Sequence, residues 1–285
     1  MDEKIIVTMT TWKKRISNIP AVLDSIYAQT LPPDKVIINL AFDECVPDDI
    51  QSYIEKHGVE VFRVPDTKVY KKLIPTLKRY PNDLIIAIDD DWIYPEGMIA
   101  DFINVHRQYP NNPISGNHAV NFGLQCHCGC ASLVKAKFYG TFLDCIDSDL
   151  MKNCSSDDIV YTYFACKAGF PYIRTEGYYS VNMKPYNNQD SYSSIVVCKD
   201  GIGISFDYLV KRFGKLPNTF SSFISDSFIA DLLYDIYKQD IKKSYNDGKA
   251  EGLQIVYNTL AYRTGKIIVW PFYIFKSIME KFYKK

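Results

Sequence analysis

Apolar runs and amphipathic segments alternate along the first part of the chain, and this alternation predicts βαβ units with a parallel sheet. Runs rich in Ile and Val occupy residues 5–10, 35–40, 59–64 and 84–88. The last run is apolar throughout, as expected for a strand that is buried on both faces of such a sheet. The pattern therefore predicts the α/β class.

Between these strands, apolar residues recur at helical spacing. Asn18 is expected to cap the first helix, and Pro20 is expected in its first turn. A second helix is predicted over 48–57, where Gly58 ends it. The buried face of the first helix is predicted to contain Ile19, Val22, Leu23, Ile26 and Tyr27.

From residue 114 the pattern changes to short strand-like segments among polar loops, such as 131–134 and 194–198. One clear helix is predicted over 157–168, followed by Gly169. Beyond Phe206 the pattern is helical to the end. The predicted organisation is one domain over 1–205, in two halves (1–113 and 114–205), and a helical extension over 206–285.

Three carboxylates, Asp89, Asp90 and Asp91, directly follow the run at 84–88. Open α/β sheets bind ligands at the carboxyl ends of their strands. If strand alternation continues, Asp89 and Asp91 converge on one side and Asp90 points elsewhere. Such a pair suits Mn²⁺ or Mg²⁺. The alternative is an acidic turn that caps a helix starting near Pro95, but three adjacent carboxylates repel one another without a counter-ion.

Composition narrows the classes of function. Lys+Arg and Asp+Glu are balanced at 33 each, so no nucleic-acid partner is indicated, and the 22 Tyr suit a surface that contacts sugars. The start of the chain does not read as a signal peptide, and no apolar run reaches the ~20 residues that span a bilayer. A cytoplasmic protein with reduced cysteines is expected.

A second acidic pair, Asp157 and Asp158, opens the helix predicted over 157–168. A positioned carboxylate can remove a proton from an acceptor hydroxyl, and Asp158 is the better candidate base, with Asp157 beside it. The same residues also make a good helix start. Both interpretations stay open, because one carboxylate can cap while the other reacts.

Basic residues near the acidic strand are candidates for phosphate contacts, namely Arg15, Lys68, Lys71 and Lys72. For any single lysine, a solvated position at a helix start is the commoner explanation. A phosphate contact is favoured over that explanation only for Arg15 and Lys72. The segment 126–130 contains three cysteines and a histidine, but no second ligand pair follows it. A buried cluster of reduced cysteines is therefore expected there instead of a zinc site.

The end of the chain, 265–285, combines an apolar run with five lysines and one glutamate. Apolar aromatic residues with basic ends suit a helix that lies on an anionic membrane surface. A helix packed on the catalytic domain explains the pattern equally well. A lipid-linked acceptor would favour the membrane interpretation, with the protein at the inner face of the cell membrane.

Several motifs occur in one order along the chain. They are Val7-Thr8-Met9-Thr10-Thr11 with Arg15, Gln29-Thr30-Leu31-Pro32-Pro33-Asp34, Lys72-Leu73-Ile74-Pro75-Thr76-Leu77, Asp89-Asp90-Asp91 with Tyr94-Pro95, and Ser156-Asp157-Asp158-Ile159. In this order the chain resembles nucleotide-sugar glycosyltransferases of the GT-A fold. It is most similar to glycosyltransferase family 2 and to bacterial enzymes that build surface polysaccharides. The likeness ends near Phe170.

The resemblance implies a Rossmann-like, mostly parallel sheet and transfer of a sugar from a UDP- or GDP-sugar to a hydroxyl of a glycan or lipid-linked acceptor. The reaction would be metal-dependent and inverting, in surface-polysaccharide synthesis. By resemblance, Asp89 and Asp91 would hold the Mn²⁺ or Mg²⁺, and Asp158 with Asp157 would be catalytic. The donor would be bound by Thr10, Arg15, Lys72, Asp89 and Asp90.

Three other classes of protein compete with this interpretation. A phosphatase of the haloacid dehalogenase type also has a DxD motif, but its nucleophile follows the first strand, whereas this motif follows the fourth. A sugar nucleotidyltransferase would need a Gly-rich, Arg-containing N-terminal loop, which is absent; GxGxxG and Walker loops are absent too. An inactive GT-A-like subunit that scaffolds a polysaccharide-synthesis complex remains the alternative without enzyme activity.

Overall fold

A computed structural model describes residues 3–116, 120–121, 124–127, 130–154, 156–175, 184–186 and 201–217, and the structural statements below refer to these residues. They belong to one compact unit, residues 1–218; a second unit, 219–285, lies outside them. The predicted strand at 194–198 and the tail at 265–285 also lie outside them. The predicted domain division at residue 205 stays a prediction. Within the described residues, no helix is both long enough and apolar enough to cross a bilayer.

The elements of the first half follow the predicted alternation of strand and helix. The strands are β1 (Ile5–Thr10), β2 (Lys35–Ala41), β3 (Glu60–Val64), β4 (Leu84–Ile88) and β5 (Trp92–Ile93). The helices are α1 (Ile19–Tyr27), α2 (Asp48–Lys56), α3 (Ile74–Arg79) and α4 (Met98–Gln108). Short 3-10 helices at Ile16–Asn18 and Lys68–Lys72 precede α1 and α3.

The second half contains shorter elements. Its strands are β6 (Ile114–Ser115), β7 (Val120–Asn121), β8 (Leu124–Gln125), β9 (Ala131–Val134), β10 (Ile173–Arg174) and β11 (Lys184–Pro185). Its helices are a 3-10 segment at Ala136–Asp144, then α5 (Ser148–Asn153), α6 (Asp157–Lys167) and α7 (Gly201–Phe213). Gly169, which follows α6, has a φ of 91°, a backbone conformation that favours glycine at a helix end.

The central sheet has seven strands in the order β10-β6-β9-β4-β1-β2-β3. β4, β1, β2 and β3 are parallel, while β9 runs antiparallel between β4 and β6. The predicted α/β class with a mostly parallel sheet is therefore confirmed. The carboxyl ends of β1, β2 and β4 meet at one edge of the sheet, which places the chain after each of them on the same side of the molecule.

Alternation along β1 builds a core on each face of the sheet. Val7 and Met9 pack in one cluster with buried residues of α1 and α4, and Ile6 packs in the other with Tyr70 and with α6. All five residues of β4 are buried. The predicted buried face of α1 is confirmed except at Tyr27, which is 37% exposed because it is the last residue of the helix.

Asn18 does not cap α1 with its side chain, so this prediction was wrong. A 3-10 turn, Ile16–Asn18, leads directly into the helix and leaves Asn18 itself in a helical conformation, unlike the extended backbone usual at such a cap. The side chain is buried and its Nδ2 donates to the backbone carbonyl of Asp90, at 3.1 Å. Asn18 therefore fixes the acidic loop instead of the helix.

A buried polar network around Asn39 joins β1, β2 and α3. Asn39 Nδ2 lies 3.0 Å from Thr8 Oγ1, 3.0 Å from Thr76 Oγ1 and 3.2 Å from the Lys72 carbonyl oxygen. Thr8 Oγ1 also donates to that carbonyl, at 2.9 Å. These bonds satisfy polar groups within an apolar layer and fix the backbone from which the Lys72 side chain extends.

Replacing Asn39 with Ala is expected to lower the free energy of unfolding by about 1–3 kcal/mol, because a buried carbonyl and two hydroxyls lose a partner. Urea denaturation followed by far-UV circular dichroism measures the change. The exposed Asn104, in α4, provides the control Asn104→Ala, which should leave the denaturation midpoint nearly unchanged. Equal effects of the two variants would show that the network does not stabilise the fold.

Candidate active site

The acidic loop begins where β4 ends, at Ile88, and Tyr94 holds its first residue in place. The backbone N–H of Asp89 donates to Tyr94 Oη at 2.9 Å, and the N–H of Tyr94 donates to Ser25 Oγ, on α1, at 3.2 Å. Tyr94 is only 3% exposed, so the loop is anchored from inside the protein. The position of Asp89 is thus set by the core as well as by the strand.

Arg15 binds the other two carboxylates of this loop. Its Nη1 donates to Asp91 Oδ2 at 2.6 Å, and its Nη2 forms an ion pair with Asp90. The expectation that Asp90 points away from Asp91 was wrong, because strand alternation stops with β4 at Ile88. Beyond the strand, the two-pronged guanidinium binds a pair of adjacent carboxylates.

Lys72 connects the acidic loop to the second acidic pair. Its Nζ donates to Asp89 Oδ1 at 2.9 Å and lies 3.2 Å from Asp157 Oδ2, in an ion pair without a well-directed hydrogen bond. Burial of Lys72 disfavours its charge, but Asp157, Asp89 and Asp158 outweigh burial and raise its pKa well above the ordinary value. Lys72 is therefore a permanent, buried cation between two acidic segments.

Asp157 and Asp158 lie in the first turn of α6. Ser156 precedes the helix and makes no capping bond with its side chain, and Ser155 lies outside the described residues. Asp157 is 8% exposed and faces Lys72, whereas Asp158 is partly exposed. Carboxylates are favoured at a helix N-terminus, so this position is compatible with both interpretations that the sequence left open.

The remaining predicted donor residue, Thr10, ends β1 and donates its hydroxyl to the Asn39 carbonyl at 2.7 Å. The two lysines that the sequence did not favour, Lys68 and Lys71, both pair with Asp66, at 2.8 and 3.0 Å. This contact gives them a local partner. The structure thus brings Arg15 and Lys72 together with all five acidic residues, and leaves Lys68 and Lys71 on a separate ion pair.

His127 is a residue of the site region that the sequence did not single out. It is fully buried, and its backbone N–H donates to Thr162 Oγ1, on α6, at 2.7 Å. Its ring, Asp157 and Asp158 each offer a ligand atom within 4.8 Å of the others. The sequence considered His127 only within the segment 126–130, where buried reduced cysteines were expected instead of a zinc site. Cys126 is buried and Cys130 partly buried, while residues 128 and 129 lie outside the described residues. No sequence spacing connects His127 to residues thirty positions away.

The charge in this region suits a divalent cation. Five carboxylates, Asp89 to Asp91 with Asp157 and Asp158, face two basic side chains, Arg15 and Lys72. Burial, partly offset by Lys72, raises the pKa of Asp89 to about 6, and burial, partly offset by Arg15, raises that of Asp90 to about 7. Buried carboxylates with raised pKa values, close to specific charged partners, mark a candidate functional site. The residues present therefore fit Mn²⁺ or Mg²⁺.

Asp90 gives the fold a specific dependence on pH. Its pKa is raised to about 7 in the folded protein, so between about pH 4 and pH 7 the folded state binds more protons than the unfolded state. Stability should therefore fall as the pH rises from about 4 to about 7, and this contribution should be lost above pH 7. Asp90→Asn should reduce this fall between pH 5.5 and pH 8, measured by thermal unfolding with a chelator present. The exposed control Asp43→Asn should keep the wild-type fall; the same slope in Asp90→Asn would contradict the assignment.

The chain is similar to several solved structures of other proteins. No protein-family model matches the chain, and no curated protein matches it. Among solved structures, S. aureus TarS 1–349 in complex with UDP is similar at 13% identity and a TM-score of 0.46, covering 91% of this chain and 80% of that one. A longer TarS structure is covered over 46% of its length, at 13% identity and a TM-score of 0.45.

Two other solved structures are similar to this chain. 4-Diphosphocytidyl-2C-methyl-D-erythritol synthase matches at 13% identity and a TM-score of 0.47, over 67% of this chain and 97% of that one. Glucosyl-3-phosphoglycerate synthase from Mycobacterium tuberculosis, in complex with Mn²⁺, UDP and phosphoglyceric acid, matches at 15% identity and a TM-score of 0.38, over 48% and 57%.

Proposed function

We propose that this protein is a glycosyltransferase that moves a sugar from a nucleotide-diphosphate sugar to a hydroxyl of its acceptor. The observation that carries the proposal is the buried Lys72 ammonium, which lies 2.9 Å from Asp89 and 3.2 Å from Asp157. It joins the carboxyl end of a parallel strand, where α/β folds bind ligands, to the carboxylate pair in the first turn of α6. Donor and acceptor groups can therefore meet at one place.

The donor side would be formed by Thr10, Arg15, Lys72, Asp89 and Asp90. The departing nucleoside diphosphate gains negative charge, and fixed cations at that point favour its departure. Lys72 is held in place through its own backbone carbonyl by Thr8 and Asn39. Arg15 orients Asp91, because its guanidinium is bonded to that carboxylate at 2.6 Å.

Asp89 and Asp91 would hold a Mn²⁺ or Mg²⁺ ion. Bound there, the ion would neutralise charge on the diphosphate. The excess of carboxylates over basic groups and the raised pKa of Asp89 support this assignment. The contribution of the chain is to keep both carboxylates in place before the donor arrives, through Tyr94 and Arg15.

On the acceptor side, Asp158 is the proposed base and Asp157 its positioned neighbour. Asp157 is paired with Lys72 and 8% exposed, whereas Asp158 is partly exposed and can meet an incoming hydroxyl. A carboxylate in that place takes the proton as the hydroxyl attacks. Direct attack of this kind gives inversion at the anomeric carbon.

The setting of the reaction follows from the resemblance of the motifs. We propose synthesis of a bacterial surface polysaccharide, with a glycan or lipid-linked acceptor, at the inner face of the cell membrane. The basic, aromatic segment 265–285 would supply peripheral membrane contact. A phosphatase of the haloacid dehalogenase type fits less well, because β1 ends in Thr10 and the acidic motif follows β4.

Asp91→Asn is expected to keep the fold and to lose metal-dependent binding of the nucleotide sugar, because a neutral amide is a poor ligand for a hard cation. Isothermal titration calorimetry with UDP- and GDP-sugars, with and without Mn²⁺, measures the loss. Asp43→Asn, in an exposed turn, is the control and should bind like the wild type. Unchanged Mn²⁺-dependent binding in Asp91→Asn would contradict the assignment of Asp91 as a metal ligand.

Asp158→Asn is expected to reduce transfer by about 10²- to 10⁴-fold while donor binding persists, since the amide cannot accept the proton. Asp49→Asn is a matched control, because Asp49 is likewise the second residue of a helix and is exposed. Transfer assays and melting curves of both variants separate the roles. If Asp158→Asn melts early but retains specific activity, its role is at the helix start and the base lies elsewhere.

A further inference from the structure

His127 has a buried ring with one nitrogen hydrogen-bonded and the other without a hydrogen-bond partner among the described residues. Its Nδ1 lies 2.9 Å from Tyr172 Oη, and Tyr172 Oη lies 2.5 Å from Tyr139 Oη. The Tyr161 ring packs against the imidazole, with 4.9 Å between ring centroids. Its Nε2 is buried and has no hydrogen-bond partner among the described residues. The aromatic surroundings therefore fix the ring and leave one nitrogen to be satisfied.

The carboxylates beside the His127 ring indicate which ligand could bind its unpaired nitrogen. One nitrogen of His127, an oxygen of Asp157 and an oxygen of Asp158 all lie within 4.8 Å of one another. We propose that His127, Asp157 and Asp158 form a divalent metal site of the protein, separate from the one assigned to Asp89 and Asp91. Imidazole nitrogen with two carboxylates is a donor set suited to a transition metal such as Mn²⁺ or Zn²⁺ more than to Mg²⁺.

The electrostatic balance around these residues supports a divalent ion. Lys72 interacts with three carboxylates, those of Asp157, Asp89 and Asp158, which leaves a formal charge of −2 in the group. Burial, together with Lys72, lowers the pKa of His127 well below its ordinary value, so the imidazole is neutral. A neutral imidazole is the form that binds metals, and it adds no positive charge of its own.

The hydrogen bond at Nδ1 gives the histidine the arrangement common among metal ligands. Such histidines usually donate their second ring N–H to an oxygen, which fixes the tautomer and the ring orientation. In the tautomer with its proton on Nδ1, His127 would donate to Tyr172 Oη, 2.9 Å away. Tyr172 Oη lies in turn 2.5 Å from Tyr139 Oη. At the strand end, Arg15 pairs with Asp90 and Asp91, whereas Asp157 on α6 pairs with Lys72. The carboxylates of the two acidic segments are therefore held by different sets of basic side chains.

Occupation of this site is compatible with a base role of Asp158. A carboxylate has two oxygens, so one can bind the ion while the other accepts a proton. A nearby cation favours the charged carboxylate and lowers its pKa. If the proposed function holds, the acidic limb of the pH–rate profile should thus move to lower pH when the site is filled. The existence of the site itself does not depend on any transfer activity.

Pulsed electron paramagnetic resonance of the full chain with one equivalent of Mn²⁺, and no nucleotide, tests the site directly. A Mn²⁺ ion bound through His127 shows coupling to the imidazole ¹⁴N nucleus. This coupling should be present in the wild type and in Asp91→Asn, and absent in His127→Gln. Calorimetry should show Mn²⁺ binding about 10- to 100-fold weaker in Tyr172→Phe, which loses the bond to Nδ1. His106, also buried and with a ring nitrogen lacking a partner, provides the control His106→Gln, which should keep the coupling.

Three results would overturn the proposal. Wild-type protein with bound Mn²⁺ but no ¹⁴N coupling would exclude a histidine ligand, even if His127→Gln fails to fold. Coupling that survives His127→Gln would place the ion on another histidine. Loss of the coupling in Asp91→Asn would mean that one ion, at the strand end, accounts for all binding. Failure of the proposed function would instead appear as absent nucleotide-sugar binding, with the ¹⁴N coupling intact.

Discussion

The structure of the site depends on one buried cation, the ammonium of Lys72. It is 4% exposed and contacts carboxylates from the loop after β4 and from α6, two parts of the chain that are far apart in the sequence. A buried charge is tolerated only when it is paired and its position is fixed. Asn39 and Thr8 fix the backbone of Lys72, so the polar layer within the sheet, the acidic loop and the second acidic helix form one connected arrangement.

Much of the fold could be predicted from the sequence because it follows from local periodicity. The four parallel strands, the helix over 157–168 and the glycine after it all depend on residues close together in the chain. Failures occurred where a distant partner decides the outcome. Asn18 has the right residue type for a cap, yet its amide bonds to the Asp90 carbonyl across the fold. Alternation could not place Asp89 to Asp91, because the strand ends one residue earlier.

In the candidate site, too, features that depend on local sequence could be predicted, and features that depend on distant partners could not. Arg15, Lys72 and the five carboxylates were predicted as site residues because they belong to motifs that occur in a recognisable order along the chain. Which carboxylate pairs with which cation could not be read from the sequence, because each pairing crosses more than fifteen positions. His127 was considered only with the neighbouring cysteines for the same reason: its partners Tyr172, Asp157 and Asp158 come together only in the folded chain.

The central claim is that this acidic site acts on nucleotide sugars. Release of nucleoside diphosphate from a panel of UDP- and GDP-sugars, with Mn²⁺ and without acceptor, tests it most directly, because transferases hydrolyse their donors slowly with water as acceptor. If the site acts on nucleotide sugars, Mn²⁺-dependent release of nucleoside diphosphate is expected from at least one donor. Release from none of them, with phosphate released from simple phosphomonoesters instead, would contradict it and favour a phosphatase.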